Sequence, residues 1–212
     1  MTRIQAVSFD FADTLATPRR SMEEILREAL SAAGLTVDRP LRPPAWAVRR
    51  SAFDAAVSGA EGWREQFTQL WRDQLGLAPS ERLRDAVSSA IQSFQDPRNW
   101  QMREGALSLL RSVSEIGVPA VILSNWGGSL TPVLQALGCS QLVVGGLTSS
   151  EIGAAKPQRR AFYAACELAG VSPGGTLHVG DDPVSDVRGA RRAGLLALLV
   201  STSAPLPLKL PR

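Results

Sequence analysis

The 212-residue chain is 44% hydrophobic and 20% charged with a formal net charge of +3, which fits one globular core with room for an inserted subdomain. Of its 23 basic residues 21 are Arg, and the doublets Arg19-Arg20, Arg49-Arg50, Arg159-Arg160 and Arg191-Arg192 are scattered, so no basic stripe forms for nucleic acid. No apolar run reaches the ~20 residues of a membrane span, and two cysteines, Cys139 and Cys166, are too few for a disulfide framework or a zinc site.

The first apolar run, 4–9, reads as a buried strand rather than a leader, so a cytoplasmic location is expected. From 18 to 98 the pattern is helical with no convincing strand. Ser21 and Glu24 form a capping box for a helix running to Gly34, and Ser80 caps a second at 81–94. Two further helices are predicted near 45–57 and 63–75, and Pro40, Pro43 and Pro44 punctuate the loop before them. Trp63, Phe67 and Trp71 fall at i, i+4, i+8 and read as packing residues; Arg49 and Arg50 read as a solvated face.

After the insert, apolar runs at 119–123, 142–144, 176–179 and 195–200 alternate with helical patterns at 104–116, 129–137, 158–169 and 184–193. Gly138, Gly170 and Gly194 follow three of those helices as stop signals. Buried strands alternating with helices predict an α/β fold: a parallel sheet covered on both faces, formed by 1–17 and 99–212, with a helical insert at 18–98. The Pro-rich tail is expected to run irregularly over the surface, with Lys209 solvated.

In open parallel sheets, ligands bind beyond the carboxyl ends of the strands. Four segments place polar residues there: Asp10, Asp13 and Thr14; Ser124 and Asn125; Lys156; and Asp181, Asp182 and Asp186. Crowded carboxylates repel and raise one another's pKa unless a cation neutralises them. A hard dication such as Mg²⁺ suits oxygen ligands and a phosphate, a lysine and a hydroxyl balance phosphoryl oxygens, and an Asp can attack phosphorus. His178 lies inside a strand run, so no histidine base is evident.

These segments resemble the haloacid dehalogenase-like (HAD) hydrolase superfamily over nearly the whole chain. "SFDFADTL" is similar to its first motif, "VILSNW" to the second, "SSEIGAAKPQRRAF" to the third and "HVGDDPVSDVRGARRAGL" to the fourth. The resemblance implies a Rossmannoid core of strand order 5-4-1-2-3 and a C1 cap after the first strand. It implies Asp10 as nucleophile and Mg²⁺ ligand, the Ala12 carbonyl and Asp181 as further ligands, and Asp186 reaching the ion through water or orienting Asp181. Ser124 and Lys156 would bind the transferring phosphoryl, and Lys156 would neutralise Asp10. Asn125 would position substrate or loop, and Trp126, on the same edge, is a candidate pocket wall. Asp182 is either a supporting residue or a solvated helix-start acid, and Thr14 is expected to fix the loop turn.

The family's first motif usually carries a second Asp that protonates the leaving group and then activates water. Here that position is Ala12, with Asp13 next to it. The expectation is therefore a Mg²⁺-dependent phosphohydrolase of a small phosphorylated metabolite, slow unless Asp13 or a cap acid substitutes. The alternatives are a catalytically weak regulatory or binding relative and, third, a 2-haloacid dehalogenase. Phosphonoacetaldehyde-hydrolase chemistry needs a cap lysine, and the insert has none. A monomer or homodimer is expected, with neither nucleic acid nor membrane as partner.

Overall fold

The computed structural model describes residues 3–37, 65, 68, 69, 71–73 and 75–206. The first run gives β1 (Ala6–Phe9), every side chain of which is buried. Its neighbours are β4 (Ala120–Ser124) and β6 (Thr176–Gly180), also buried throughout, and all pair in parallel. Strands buried on both faces read as near-continuous apolar runs rather than alternating ones, and these segments carry that pattern apart from Ser8, Ser124, Thr176 and His178.

β5 (Gly145–Thr148) and β7 (Leu196–Leu199) complete a sheet ordered β5-β4-β1-β6-β7, which is the expected 5-4-1-2-3 order counted over the parallel strands alone. The third parallel strand lies later than the apolar run 142–144 predicted: Ser140–Leu142 forms a 3₁₀ turn, and the glycines at 145 and 146 pair with β4. A Cβ on Gly146 would meet Leu134 Cδ1 at 3.1 Å, so the strand packs closely against the helix side chain there.

The covering helices α3 (Ala106–Glu115), α4 (Thr131–Ala136) and α6 (Arg159–Ala169) follow the predicted ranges within a few residues; α5 (Ser149–Ile152) was not predicted, and α7 (Gly189–Arg192) is only the end of the predicted 184–193. Ahead of α7 the chain makes a π-helix, Pro183–Arg188, a wider turn that the periodicity did not reveal.

The insert opens with α1 (Met22–Ala32), whose capping box forms as predicted: Glu24 N–H donates to Ser21 Oγ at 3.2 Å, and Ser21 N–H to Glu24 Oε2 at 2.7 Å. It closes with α2 (Glu81–Gln95), capped by Ser80. Ile25, Leu26 and Leu30 pack with Leu83, Val87 and Ile91, and Trp71 joins them, as its helical spacing predicted. The predicted helix at 45–57, with Arg49 and Arg50, lies outside the described residues, as do Trp63, Phe67 and Lys209.

An antiparallel pair not foreseen in the sequence, β2 (Ala16–Pro18) with β3 (Trp100–Met102), brings together the chain entering and leaving the insert. The tail also differs from expectation. Leu206 is buried in the main core and donates its N–H to Glu104 O at 3.1 Å.

Candidate active site

Sheet register puts the chemistry at one edge. Phe9 pairs with Ile122 on one side and Val179 on the other, so the residues that follow, Asp10, Ser124 and Asp181, leave three adjacent strands at the same end. The Asp10 N–H still donates to Val179 O at 2.9 Å, which fixes the first acid to the strand that leads to the others.

Carboxylate oxygens of Asp10, Asp181 and Asp186 lie within 4.8 Å of one another. Into this group comes Lys156, only 4% exposed, whose Nζ donates to Asp10 Oδ1 and, at 2.7 Å, to Asp186 Oδ1. When all three carboxylates are ionised, they carry two more negative charges than the Lys156 ammonium offsets. An all-oxygen donor set with that residual charge fits a divalent hard cation such as Mg²⁺.

The charge balance shows in the ionisation of each group. Burial pushes the Asp10 carboxyl up to about 8; Lys156 opposes this, while Asp186 and Asp181 reinforce it. Asp181 is also raised, first by burial and then by Asp186, with Asp13 adding to the effect. For Asp186 burial acts upward too, yet Lys156 and the bond from His178 outweigh it and hold the carboxyl below its usual range. Lys156 stays charged because Asp10 and Asp186 outweigh its burial. Burial prevails at His178, which is held neutral.

Lys156 is placed by a reciprocal pair: its N–H donates to Asn125 Oδ1 at 2.8 Å, and Asn125 Nδ2 donates to Lys156 O at 2.9 Å. Asn125, expected to position substrate or loop, thus ties the second segment to the third. The next residue repeats the device, with Trp126 N–H on Ser149 Oγ at 3.0 Å and Ser149 Oγ on Trp126 O at 3.1 Å. Trp126 itself is 4% exposed, its ring among Phe11, Phe94 and Trp100 at centroid distances of 5.9, 6.2 and 5.3 Å. That position places it in the joint between sheet and insert. Ser124 is buried at the end of β4.

Several supporting residues were not assigned these partners from sequence. Thr14, expected to fix a turn, donates its hydroxyl to Asp181 Oδ1 at 3.0 Å. Asp182 Oδ1 caps the π-helix through Val184 N–H at 2.7 Å and Ser185 N–H at 2.8 Å, a structural role for that ambiguous acid. The wide turn brings Asp186 back over β6: Asp186 N–H and Val187 N–H both donate to Asp182 O, at 3.0 and 3.2 Å. A Cβ built on Gly180 would lie 2.3 Å from Asp186 Cγ, so the carboxylate requires glycine beneath it. Asp13 sits at φ 61° in a left-handed turn, exposed, beside Ala12.

Rossmannoid enzymes that gather acids and a lysine at the carboxyl edge of a parallel sheet form a class of hydrolases, and this molecule falls within it. Residues 4–194 match the family model described as haloacid dehalogenase-like hydrolase, and the chain belongs to that family. It is 26% identical to the haloacid dehalogenase-like hydrolase domain-containing protein 3 of Mus musculus, over 96% of this chain and 84% of the relative. It is 31% identical to a phosphoserine phosphatase of Thermus thermophilus, over 80% of this chain and 72% of the relative. Among solved structures, the HAD-hydrolase YfnB of Bacillus subtilis, bound to magnesium, shares the fold with a TM-score of 0.72 at 18% identity, over 98% of this chain and 93% of that one. Among the described residues no helix is long and apolar enough to cross a membrane.

Proposed function

We propose that the protein is a Mg²⁺-dependent phosphohydrolase that acts on a small phosphate ester or acyl phosphate through an aspartyl-phosphate on Asp10. The observation that carries this reading is the placement of the Lys156 ammonium between Asp10 and Asp186, with Asp181 completing an oxygen-only cluster. Asp10, Asp181, Asp186 and the Ala12 carbonyl would hold the cation. When bound, it neutralises the carboxylates, favours ionised Asp10 and offsets charge on the phosphoryl oxygens.

Asp10 supplies the carboxylate oxygen that attacks phosphorus, and the leaving oxygen departs with a proton. Lys156 and the Ser124 hydroxyl bind the phosphoryl oxygens in flight, and Asn125 keeps Lys156 in place. Water then attacks phosphorus, releasing phosphate and restoring Asp10. Both proton transfers need an acid or base that Ala12 does not provide. Asp13 is our candidate: its turn departs from extended backbone, and its charge is felt at Asp181. The phosphoserine phosphatase relative supports a phosphate monoester as substrate.

Ala12 also favours a second reading, a regulatory or binding relative that turns over slowly. The three-acid cluster argues against a metal-free dehalogenase, which would leave three crowded carboxyl groups with a single ammonium among them. The test is hydrolysis of p-nitrophenyl phosphate and acetyl phosphate. Activity is expected with Mg²⁺, to vanish in chelator and to be lost in Asp10→Asn; equal activity in chelator would remove the assignment.

A further inference from the structure

We propose that His178 is a positioning residue that orients Asp186, and through it Lys156, toward the nucleophile, with the Ser8 hydroxyl setting which imidazole nitrogen carries the proton. The proposal rests on the function above for its kinetic consequences and on hydrogen-bond geometry for its structural content.

Ser8 in β1 and His178 in β6 are direct partners in the parallel register, and both are buried inside the sheet. His178 Nδ1 lies 3.0 Å from Ser8 Oγ, and Nε2 lies 3.2 Å from Asp186 Oδ1. Nε2 faces a carboxylate oxygen, which accepts, so Nε2 is placed to donate. Nδ1 faces a hydroxyl, which can donate, so both contacts are satisfied together by the tautomer with its proton on Nε2 and Ser8 donating to Nδ1. The direction of every bond follows: Ser8 to His178, His178 to Asp186, and Lys156 to both Asp186 and Asp10.

Asp186 is thereby held from several sides. Oδ1 accepts from His178 and Lys156, Oδ2 accepts from Asp182 N–H at 2.9 Å, and the Gly180 backbone closes the space below. Phe162 meets the His178 ring edge to face at 5.1 Å, which fixes its plane. Without the imidazole donor, Asp186 Oδ1 would keep Lys156 as its one strong partner and draw the ammonium away from Asp10. An apolar ring of the same shape would fill the space as well, so packing alone does not explain two polar contacts at the two ring nitrogens.

Two variants separate orientation from packing. His178→Phe keeps the ring and its contact with Phe162 but removes the donor; His178→Gln returns an N–H toward Asp186. Loss of a residue that orients a ligand typically costs about 10- to 100-fold. His178→Phe should lower kcat for p-nitrophenyl phosphate by roughly tenfold with KM nearly unchanged. It should also weaken Mg²⁺ binding measured by calorimetry, and His178→Gln should restore most of both. The second readout needs no activity. His178 is the sole histidine, so its ring ¹⁵N signals in the intact wild-type protein report one residue. They should show protonated Nε2 and bare Nδ1 near neutral pH, and Ser8→Ala should weaken that preference. A proton on Nδ1, or a folded His178→Phe protein with wild-type kcat and Mg²⁺ affinity, would overturn the proposal. Inactive wild-type protein would count against the phosphohydrolase reading alone, and the ¹⁵N tautomer would then decide this one.

Discussion

Ala12 lies between two acids and carries a side chain that can neither give nor take a proton, so the two halves of the proposed reaction are affected differently. A good leaving group such as p-nitrophenolate departs with little help, whereas water attacking the aspartyl-phosphate needs a base. General acid–base assistance is typically worth about 10²–10⁴ in rate. Rapid mixing should therefore show a burst of p-nitrophenol followed by slow turnover, and Ala12→Asp should speed the slow phase by about tenfold or more. No burst and no gain would identify another base, with Asp13 first in line. Ionisation gives a second prediction. Asp10, raised to about 8 by burial in the metal-free protein, holds a proton that a cation must displace. Mg²⁺ affinity should rise with pH toward 8, and binding should release protons, detectable by calorimetry in buffers of different ionisation enthalpy. In the metal-free protein the sign for stability follows: protonation favours the fold, so the Asp10 contribution is full below the ordinary carboxyl range and falls as pH rises through about 8. Asp10, Lys156, Asp181 and Asp186 were legible in the sequence because strand-end acids and one of only two lysines announce themselves. Ser8 and His178 were not, because each is a polar residue inside an apolar run, and only the β1–β6 register shows that they meet.

At the scale of elements, the parallel strands were readable from continuous apolar runs, while β2 and β3 were not. Each has three residues, and their pairing joins segments on opposite sides of the insert, a contact with no local signal. The misplaced third strand has a similar cause: two glycines in β5 carry no hydrophobic signature. Arg103, just after β3, shows what such an element does for the site. Its Nη1 donates to Asp13 O at 2.7 Å and Thr14 O at 3.0 Å, and its Nη2 to Ser201 O at 2.6 Å and Ala204 O at 2.7 Å. One guanidinium thus straps the first active-site loop to the tail, and Thr14 in that loop holds Asp181. Beside it, Gly105 at φ +82° leaves room for Leu206 O, which would lie 2.6 Å from a Cβ there. Arg103→Gln should destabilise the protein by about 0.5–1.5 kcal/mol, because the carbonyls it binds lie at exposed or part-buried positions where water can replace the lost donor. Denaturant unfolding reads that change, and an unaltered midpoint would show the strap to be idle.

Across the whole molecule, the cluster of acids and lysine is assembled from residues far apart in the chain: Lys156 and Asp10 are 146 positions apart, and Thr14 and Asp181 are 167 apart. The insert joins this centre through aromatic rings. Phe94 at the end of α2 meets Trp100 at 5.2 Å, and Trp100 meets Phe11, the residue after Asp10, at 5.0 Å. Asn99 reinforces the joint, accepting from Arg20 N–H at 3.0 Å and donating to Arg20 O at 3.2 Å. In the proposed reaction, fold and insert together present one carboxylate, Asp10, to a phosphoryl group. Mass spectrometry of the protein quenched in acid after exposure to acetyl phosphate tests that claim most directly. A phosphoryl adduct is expected on the peptide carrying Asp10, formed with Mg²⁺, absent in chelator and absent in Asp10→Asn. Hydrolysis that proceeds with no adduct, or with the adduct on another residue, would contradict the account.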